Sequence, residues 1–118
     1  MLSANEQIIR ESENTFVLEG CRVNALDKKQ FENFANEICK AIPGLRGFVG
    51  IDILIKYDQI MLVDINPRIT TSYVGLRSAL GINPARCILQ SFMQKKLIPL
   101  KHMKNECITV KIEDGFET

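Results

Sequence analysis

Two aspartates, an asparagine and an arginine stand near the ends of two neighbouring apolar stretches. Asp52 lies within "GFVGIDILIK". Asp64 follows twelve residues later in "MLVDINPR", which also contains Asn66 and Arg68. Carboxylate and amide oxygens are ligands that magnesium prefers, and a planar guanidinium can bind a phosphate or a carboxylate through two parallel hydrogen bonds. These residue types therefore suit chemistry on phosphates, provided that the fold brings them together.

A β-hairpin is the element that would bring them together. The residues Tyr57, Asp58 and Gln59 separate the two apolar stretches, and a turn centred on Asp58 predicts a set of cross-strand pairs. Those pairs are Gly50–Asn66, Asp52–Asp64 and Leu54–Leu62. Because side chains alternate across a strand, the odd-numbered residues share the other face, which we expect to be core. They are Val49, Ile51, Ile53, Ile55, Met61, Val63 and Ile65.

The predicted opposition of the two aspartates favours a bound cation. Carboxylates directly opposite each other have Cβ atoms about 4.5–5.5 Å apart and repel by roughly 3 kcal/mol at an effective dielectric constant near 20. A magnesium ion held by Asp52, Asp64 and Asn66, and partly by water and substrate phosphates, would offset that repulsion. Gly50 would leave room for a ligand near the backbone. The alternative is that one or both aspartates simply face solvent.

The loop after the hairpin carries further groups that suit an anion. Pro67 restricts the backbone just beyond the strand, which can direct Arg68 back toward the same end of the sheet. Thr70, Thr71 and Ser72 then offer hydroxyls and backbone N–H groups ahead of a helix. Capping of that helix by Thr71 or Ser72, and a surface position for Arg68, are the alternative explanations.

The remaining patterns predict an α+β fold. A capping box at Asp27 and Gln30 precedes apolar residues at helical spacing, and Asn83 with Pro84 predicts the start of a later helix. The expected order is a ragged strand within 5–14, a strand over 15–23, a helix between Asp27 and Pro43, the hairpin, helices over 73–80 and 84–95, and a strand within 106–113. We therefore expect an antiparallel sheet with flanking helices that cover one face.

Composition narrows the classes of protein. The 118 residues are 46% hydrophobic and 25% charged with a net charge of +1, as in one ordinary globular domain, and no basic patch predicts a nucleic-acid or membrane partner. No signal peptide and no apolar run of about 20 residues is visible, so we expect a cytoplasmic protein. The four cysteines are widely spaced, which favours reduced and mostly buried thiols.

The hairpin motif resembles a known family. Asp52 followed by "DINPR" at 64–68 is similar to the metal-binding hairpin of the ATP-grasp superfamily, whose signature is an acidic residue on one strand and E-x-N-P-R or a variant on the next. The continuation "ITTSYVGLR" is similar to the tyramine–glutamate ligase type within that superfamily, and "LSANEQII" fits the strand that usually precedes the helix and hairpin. The resemblance covers roughly residues 1–94.

This resemblance implies an ATP-dependent ligase that joins a small-molecule carboxylate to an amine, or to a thiol, through an acylphosphate. It implies ATP and Mg²⁺ as cofactors. Residue by residue, it implies magnesium ligands at Asp52, Asp64 and Asn66 and nucleotide contacts at Asn66, Arg68, Thr70 and Thr71. Arg68 would also be the catalytic residue, because it would steady the transferring phosphoryl group.

The sequence departs from the family pattern at several points. Asp64 is shorter than the usual glutamate, which argues against two bridged ions, and Gly50 stands where some relatives carry an arginine. An ATP-grasp fold clasps its nucleotide between two subdomains. We therefore expect residues 1–118 to be the C-terminal part, with the N-terminal nucleotide-binding half absent, with no detectable catalysis alone, and with an exposed sheet face that favours a homodimer.

Two other functions stay open at this point. The first is a non-catalytic or degenerate module that binds a metal or a ligand and acts through protein–protein interaction. The second is a metal-dependent hydrolase that uses the same two aspartates to activate water. Retention of Asp52, Asp64 and Asn66 together favours the ligase over the first, and the lack of a histidine near the hairpin disfavours the second.

Overall fold

The computed structural model describes residues 1–96 and 99–113, which form an α+β fold of five strands and three α-helices. The strands are β1 (Ala4–Ser12), β2 (Thr15–Leu26), β3 (Gly50–Lys56), β4 (Gln59–Asn66) and β5 (Ile108–Lys111), and the helices are α1 (Glu32–Ala41), α2 (Tyr73–Leu80) and α3 (Pro84–Gln94). All strand pairs are antiparallel, in one sheet of order β1–β2–β5 and a separate hairpin β3–β4. The predicted fold class is confirmed, with its strands divided between two sheets.

The later helices begin and end where local signals predicted. Asn83 Oδ1 accepts a hydrogen bond of 3.1 Å from the backbone N–H of Arg86, and Pro84 is the first residue of α3. Gly81 ends α2 in the left-handed conformation at φ 67°, which glycine adopts without steric cost. Among the described residues, no helix has the length and apolar character needed to cross a membrane.

The first half of the chain differs in detail from its patterns. The ragged first stretch is a regular strand, β1, which is joined to β2 by Glu13 and Asn14 at positive φ of 39° and 67°. β2 runs on to Leu26, three residues beyond its expected end. Asp27 caps a short 3-10 helix (28–30) instead of an α-helix, so α1 begins only at Glu32.

The buried core lies between the three-stranded sheet and α2. Leu76, Ala79 and Leu80 on α2 form one cluster with Cys21 and Val23 on β2, and each of the five is at most 4% exposed. Spacing of three and four residues puts the helical members on one face. Partly buried residues packed on this cluster are Leu2, Phe48, Tyr73, Ile82, Ile108 and Val110. The cluster fixes α2, and hence the end of the loop that follows the hairpin.

The hairpin lies outside this core. The expectation that its odd-numbered face is core is wrong, because Ile55, Met61 and Val63 are 51%, 40% and 66% exposed. Within the described structure, neither β3 nor β4 contains a fully buried residue. A two-stranded ribbon needs another layer to cover it, so an apolar pattern predicts the strands without ensuring their burial.

The cysteines are only partly as expected. All four, which lie within the described residues, are free thiols. Cys21 is buried and Cys87 partly buried, but Cys39 and Cys107 are exposed, so the expectation of mostly buried thiols is wrong.

Close packing of α2 on the sheet depends on Gly75. A Cβ there would lie 2.8 Å from Val23 Cγ2 and 3.0 Å from Val110 Cγ2. We predict that Gly75→Ala lowers the free energy of unfolding by about 1–3 kcal/mol, because overpacking outweighs the usual gain in helix propensity. Urea unfolding measures it. Ser78→Ala, on the exposed side of the same helix, should change stability by less than about 0.5 kcal/mol; a stabilised Gly75→Ala would contradict the packing.

Stability should fall at alkaline pH through Cys21. Burial raises the pKa of this thiol, so the unfolded chain releases the proton at a lower pH than the native protein does. The contribution of Cys21 to stability is then fully present below the ordinary thiol pKa and is lost as the pH rises above it. We predict a fall in the free energy of unfolding between about pH 8 and about pH 10, measured by urea unfolding. The slope should be smaller in Cys21→Ala than in Cys39→Ala; equal slopes would exclude this origin.

Candidate functional site

A β-bulge in β4 sets the two aspartates opposite each other. Near the turn Leu54 pairs with Met61, but the register shifts between Asp52 and the next residue, and beyond that shift Asp52 pairs with Asp64. Val63 is the extra residue that the bulge absorbs. Had the first register continued, Val63 would oppose Asp52 and Asp64 would fall on the other face of the hairpin.

The turn that precedes the bulge is shorter than expected. Tyr57 and Asp58 form a two-residue connection with φ of 50° and 61°, and positive values at both positions are the requirement of a type I′ turn. The predicted pairing of Leu54 with Leu62 is therefore wrong. The two predicted pairs at the open end of the hairpin are confirmed, because the bulge compensates for the shorter turn.

The bulge also makes the face opposite the aspartates uniformly aliphatic. Cross-strand partners share a face, and β3 is regular, so its alternate residues stay on one side. The side chains on this face are Ile51, Ile53, Ile55, Ile60, Leu62 and Ile65. Ile60 and Leu62 thus take the places that the sequence assigned to Met61 and Val63.

Asp52 lies within a chain of side-chain hydrogen bonds. Gln7 Nε2 on β1 donates to Asp52 Oδ1 at 3.3 Å, and Asn66 Nδ2 donates to Asp52 Oδ2 at 3.2 Å. Arg68 Nη2 donates in turn to Asn66 Oδ1 at 3.1 Å. We call these four residues the amide–carboxylate chain. It links β1, both strands of the hairpin and the following loop, and it brings Asp52, Asn66 and Arg68 together.

Both ends of the Asn66 amide are engaged. Its nitrogen faces Asp52, and its oxygen, the atom expected to bind a metal, faces Arg68. The Arg68 guanidinium returns to the hairpin end, and its Nη1 also donates to the carbonyl of Ile69 at 3.2 Å. A metal ion at the Asn66 oxygen would therefore have to displace the guanidinium.

The two carboxylates lack a basic partner. None of the ion pairs within residues 1–96 and 99–113 includes Asp52 or Asp64, and Asp64 Oδ1 accepts only a hydrogen bond of 2.8 Å from the backbone N–H of Ile65. The two carboxylates are ligands of the kind that a hard cation such as Mg²⁺ prefers. The same residues contain no group of three or more His, Cys, Asp or Glu placed to hold a metal. An ion here would need amide, water or substrate oxygens as further ligands.

Thr70 closes the loop onto the hairpin. A Cβ on Gly50 would lie 2.7 Å from Thr70 Cγ2, so this methyl occupies the space that we expected to be open to a ligand. Thr70 Oγ1 lies 3.2 Å from Ser72 Oγ, and the Ser72 hydroxyl is used there instead of capping α2. The carbonyl of Thr71 accepts a hydrogen bond of 3.3 Å from the backbone N–H of Val74 in the first turn of that helix.

Gln7 is the member of the site that sequence reasoning missed. It pairs with Cys21 between β1 and β2, so the two side chains share a face of the sheet. An isolated glutamine on a polar strand carries no motif. Its contact with Asp52, 45 residues away, follows from the placement of the two sheets.

Comparison with known proteins adds to this geometry. A family model described as an ATP-grasp domain matches residues 1–72, which run from β1 through the hairpin to the loop before α2 and contain the whole amide–carboxylate chain. The chain belongs to the ATP-grasp family. The resemblance inferred from the hairpin motif is thereby confirmed, and the family match ends before α2, short of residue 94.

Two curated relatives extend the similarity of this ATP-grasp chain. Tyramine–L-glutamate ligase of Methanocaldococcus jannaschii is 39% identical over 77 residues, which is 65% of this chain and 24% of that protein. The protein of the same name from Methanocaldococcus fervens is 34% identical over 112 residues, 95% of this chain and 33% of that protein. The chain thus spans about a quarter to a third of these relatives. No solved structure matches it significantly.

Repulsion between the aspartates should be measurable as stability. We predict that Asp64→Asn raises the free energy of unfolding by about 0.5 kcal/mol in EDTA-containing buffer of low ionic strength, because it removes a like charge opposite Asp52. The gain should shrink in high salt, since screening weakens exposed charges. Denaturant unfolding measures both. Glu11 is also exposed, but its cross-strand partner is Phe16 and not a carboxylate, so Glu11→Gln should show no such gain. Equal behaviour of the two variants would contradict the repulsion.

Proposed function

We propose that the natural protein containing this chain is an ATP-dependent carboxylate–amine ligase, and that residues 1–118 form the C-terminal, magnesium-binding part of its ATP-grasp domain. The observation that carries this proposal is the amide–carboxylate chain beside the Asp52–Asp64 pair, inside the residues that the family model matches. Similarity to two proteins named tyramine–L-glutamate ligase supports a small-molecule carboxylate and an amine as the substrates.

Asp52 and Asp64 would bind Mg²⁺, with the amide oxygen of Asn66 as a third ligand. The lack of a basic partner at either carboxylate, in the part of the chain that the structure describes, supports this assignment. When bound, the ion would neutralise charge on the phosphates of ATP and stabilise the charge that develops during phosphoryl transfer. On binding the ion, the side-chain oxygen of Asn66 would lose the hydrogen bond that it accepts from Arg68.

Arg68 would hold the transferring phosphoryl group. Its guanidinium now donates to two neutral oxygens, the side-chain oxygen of Asn66 and the backbone oxygen of Ile69. A phosphate oxygen carries negative charge and accepts a stronger hydrogen bond than either, so a bound nucleotide would draw the guanidinium toward itself. Thr70 and Thr71, on the loop that touches Gly50, would add hydroxyl and N–H contacts to the phosphates.

The proposed reaction has two steps. In the first step, an oxygen of the substrate carboxylate attacks the γ-phosphorus of ATP. The bond between that phosphorus and the β,γ-bridging oxygen breaks, which gives an acylphosphate and ADP. The amine nitrogen then attacks the acyl carbon, loses a proton, and phosphate leaves. Neither step needs a covalent nucleophile from the protein, which agrees with a site built from carboxylates, an amide and a guanidinium.

Titration calorimetry of Mg²⁺–ATP into the natural full-length protein tests the proposal. We predict that Asp52→Asn and Asp64→Asn each weaken binding by about tenfold or more, because each removes a proposed metal ligand. Asp58→Asn, in the turn of the same hairpin, removes a carboxylate away from the open end and should bind like the wild type. Replacing Mg²⁺ with EDTA should reduce wild-type binding to the level of the two site variants.

Two outcomes would contradict the proposal, the first the ligase assignment and the second the site. Failure of the wild-type protein to bind Mg²⁺–ATP would leave the non-catalytic binding module as the better account. Tight binding that neither site variant weakens would place the nucleotide elsewhere in the protein.

A further inference from the structure

Gln7 joins the two sheets of the structure. Within residues 1–96 and 99–113, its hydrogen bond to Asp52 is the one hydrogen bond that runs from the β1–β2–β5 sheet to the hairpin. The other polar side chains along this part of β1 stay within their own sheet, since Glu6 bonds to Arg22 and Arg10 bonds to Glu19.

The two amides that hold Asp52 differ in what they fix. Asn66 is part of the same hairpin as Asp52, so its hydrogen bond moves with the hairpin. Gln7 belongs to β1, which is held to β2 along its length and through β2 to the buried core. The Gln7 hydrogen bond therefore orients the Asp52 carboxylate relative to the rest of the fold.

A glutamine suits this task better than a basic residue. A lysine or arginine would pair with the carboxylate and repel an incoming cation. A primary amide donates one hydrogen bond without adding charge, and an ionised carboxylate has about four acceptor positions. With Gln7 and Asn66 each occupying one, Asp52 keeps positions free for a metal ion.

We propose that Gln7 is a positioning residue for the metal site, which holds the Asp52 carboxylate in the orientation that binds the cation. This inference rests on the proposed function, because it takes Asp52 as a metal ligand. Gln7 would not touch the ion itself. It would act through the 3.3 Å hydrogen bond to Asp52 Oδ1.

Binding of Mn²⁺, measured from the free-ion signal in electron paramagnetic resonance, tests the inference on the natural full-length protein without reference to activity. Gln7→Met keeps the length of the side chain and removes the donor, and we expect it to weaken Mn²⁺ binding about tenfold, the usual scale for a residue that orients a metal ligand. Gln59→Met makes the same change on exposed Gln59 beside the turn and should leave the affinity unchanged. Asp52→Asn should lose binding to a greater extent than Gln7→Met.

A second control separates positioning from loss of structure. Ile38→Val removes one methyl group from a buried residue of α1, a helix that contributes no residue to the amide–carboxylate chain. It should lower the thermal midpoint but keep the Mn²⁺ affinity, measured at a temperature where every variant is folded. If Ile38→Val loses Mn²⁺ affinity as much as Gln7→Met does, the effect of Gln7 is structural and the inference is overturned.

The remaining outcomes distinguish this inference from the proposed function. If Gln7→Met binds Mn²⁺ like the wild type while Asp52→Asn does not, Gln7 has no positioning role and the metal site stands. If Asp52→Asn also binds Mn²⁺ like the wild type, the hairpin is not the metal site, and both proposals fail.

Discussion

The opposition of Asp52 and Asp64 across one short hairpin is the constraint on which the site depends. It brings like charges together, and no basic side chain in the described residues pairs with either. Neutral amides from Gln7 and Asn66 hold Asp52 instead. That choice of partners keeps the local negative charge intact, as the proposed binding of a cation requires.

Packing elsewhere holds the loop that follows the hairpin. The buried cluster of α2 on β2 fixes the end of the loop that leaves the hairpin, and Gly75 allows the helix to approach closely. Within that loop, the Thr70 methyl lies against the backbone of Gly50. Within the residues that the structure describes, a loop contact and one hydrogen bond from Gln7 link the hairpin to the rest of the molecule, while many of its own residues stay exposed.

Arg68 and Asn66 are arranged so that metal and phosphate would compete with contacts already present. The Asn66 oxygen accepts from Arg68, and its nitrogen donates to Asp52. An ion at that oxygen would release the guanidinium, and a phosphate at the guanidinium would release the oxygen. In the proposed ligase, binding of the metal ion would therefore strengthen binding of the phosphate, and the reverse. The ion frees the Arg68 guanidinium for the phosphate, and the phosphate frees the Asn66 oxygen for the ion.

Sequence alone determined the family and most of the local elements of this protein. The residue types in "DINPR" with Asp52 predicted the family, and capping and turn residues such as Asn83 and Gly81 predicted the helices, because those signals act over a few residues. Tertiary structure decided the rest. The sequence predicted the pairing of Asp52 with Asp64 from a turn centred on Asp58, but the structure reaches the same pairing through a two-residue turn and a bulge at Val63. The contact of Gln7 with Asp52 depends on how the two sheets are placed. Such features depend on how distant segments meet, which local spacing does not encode.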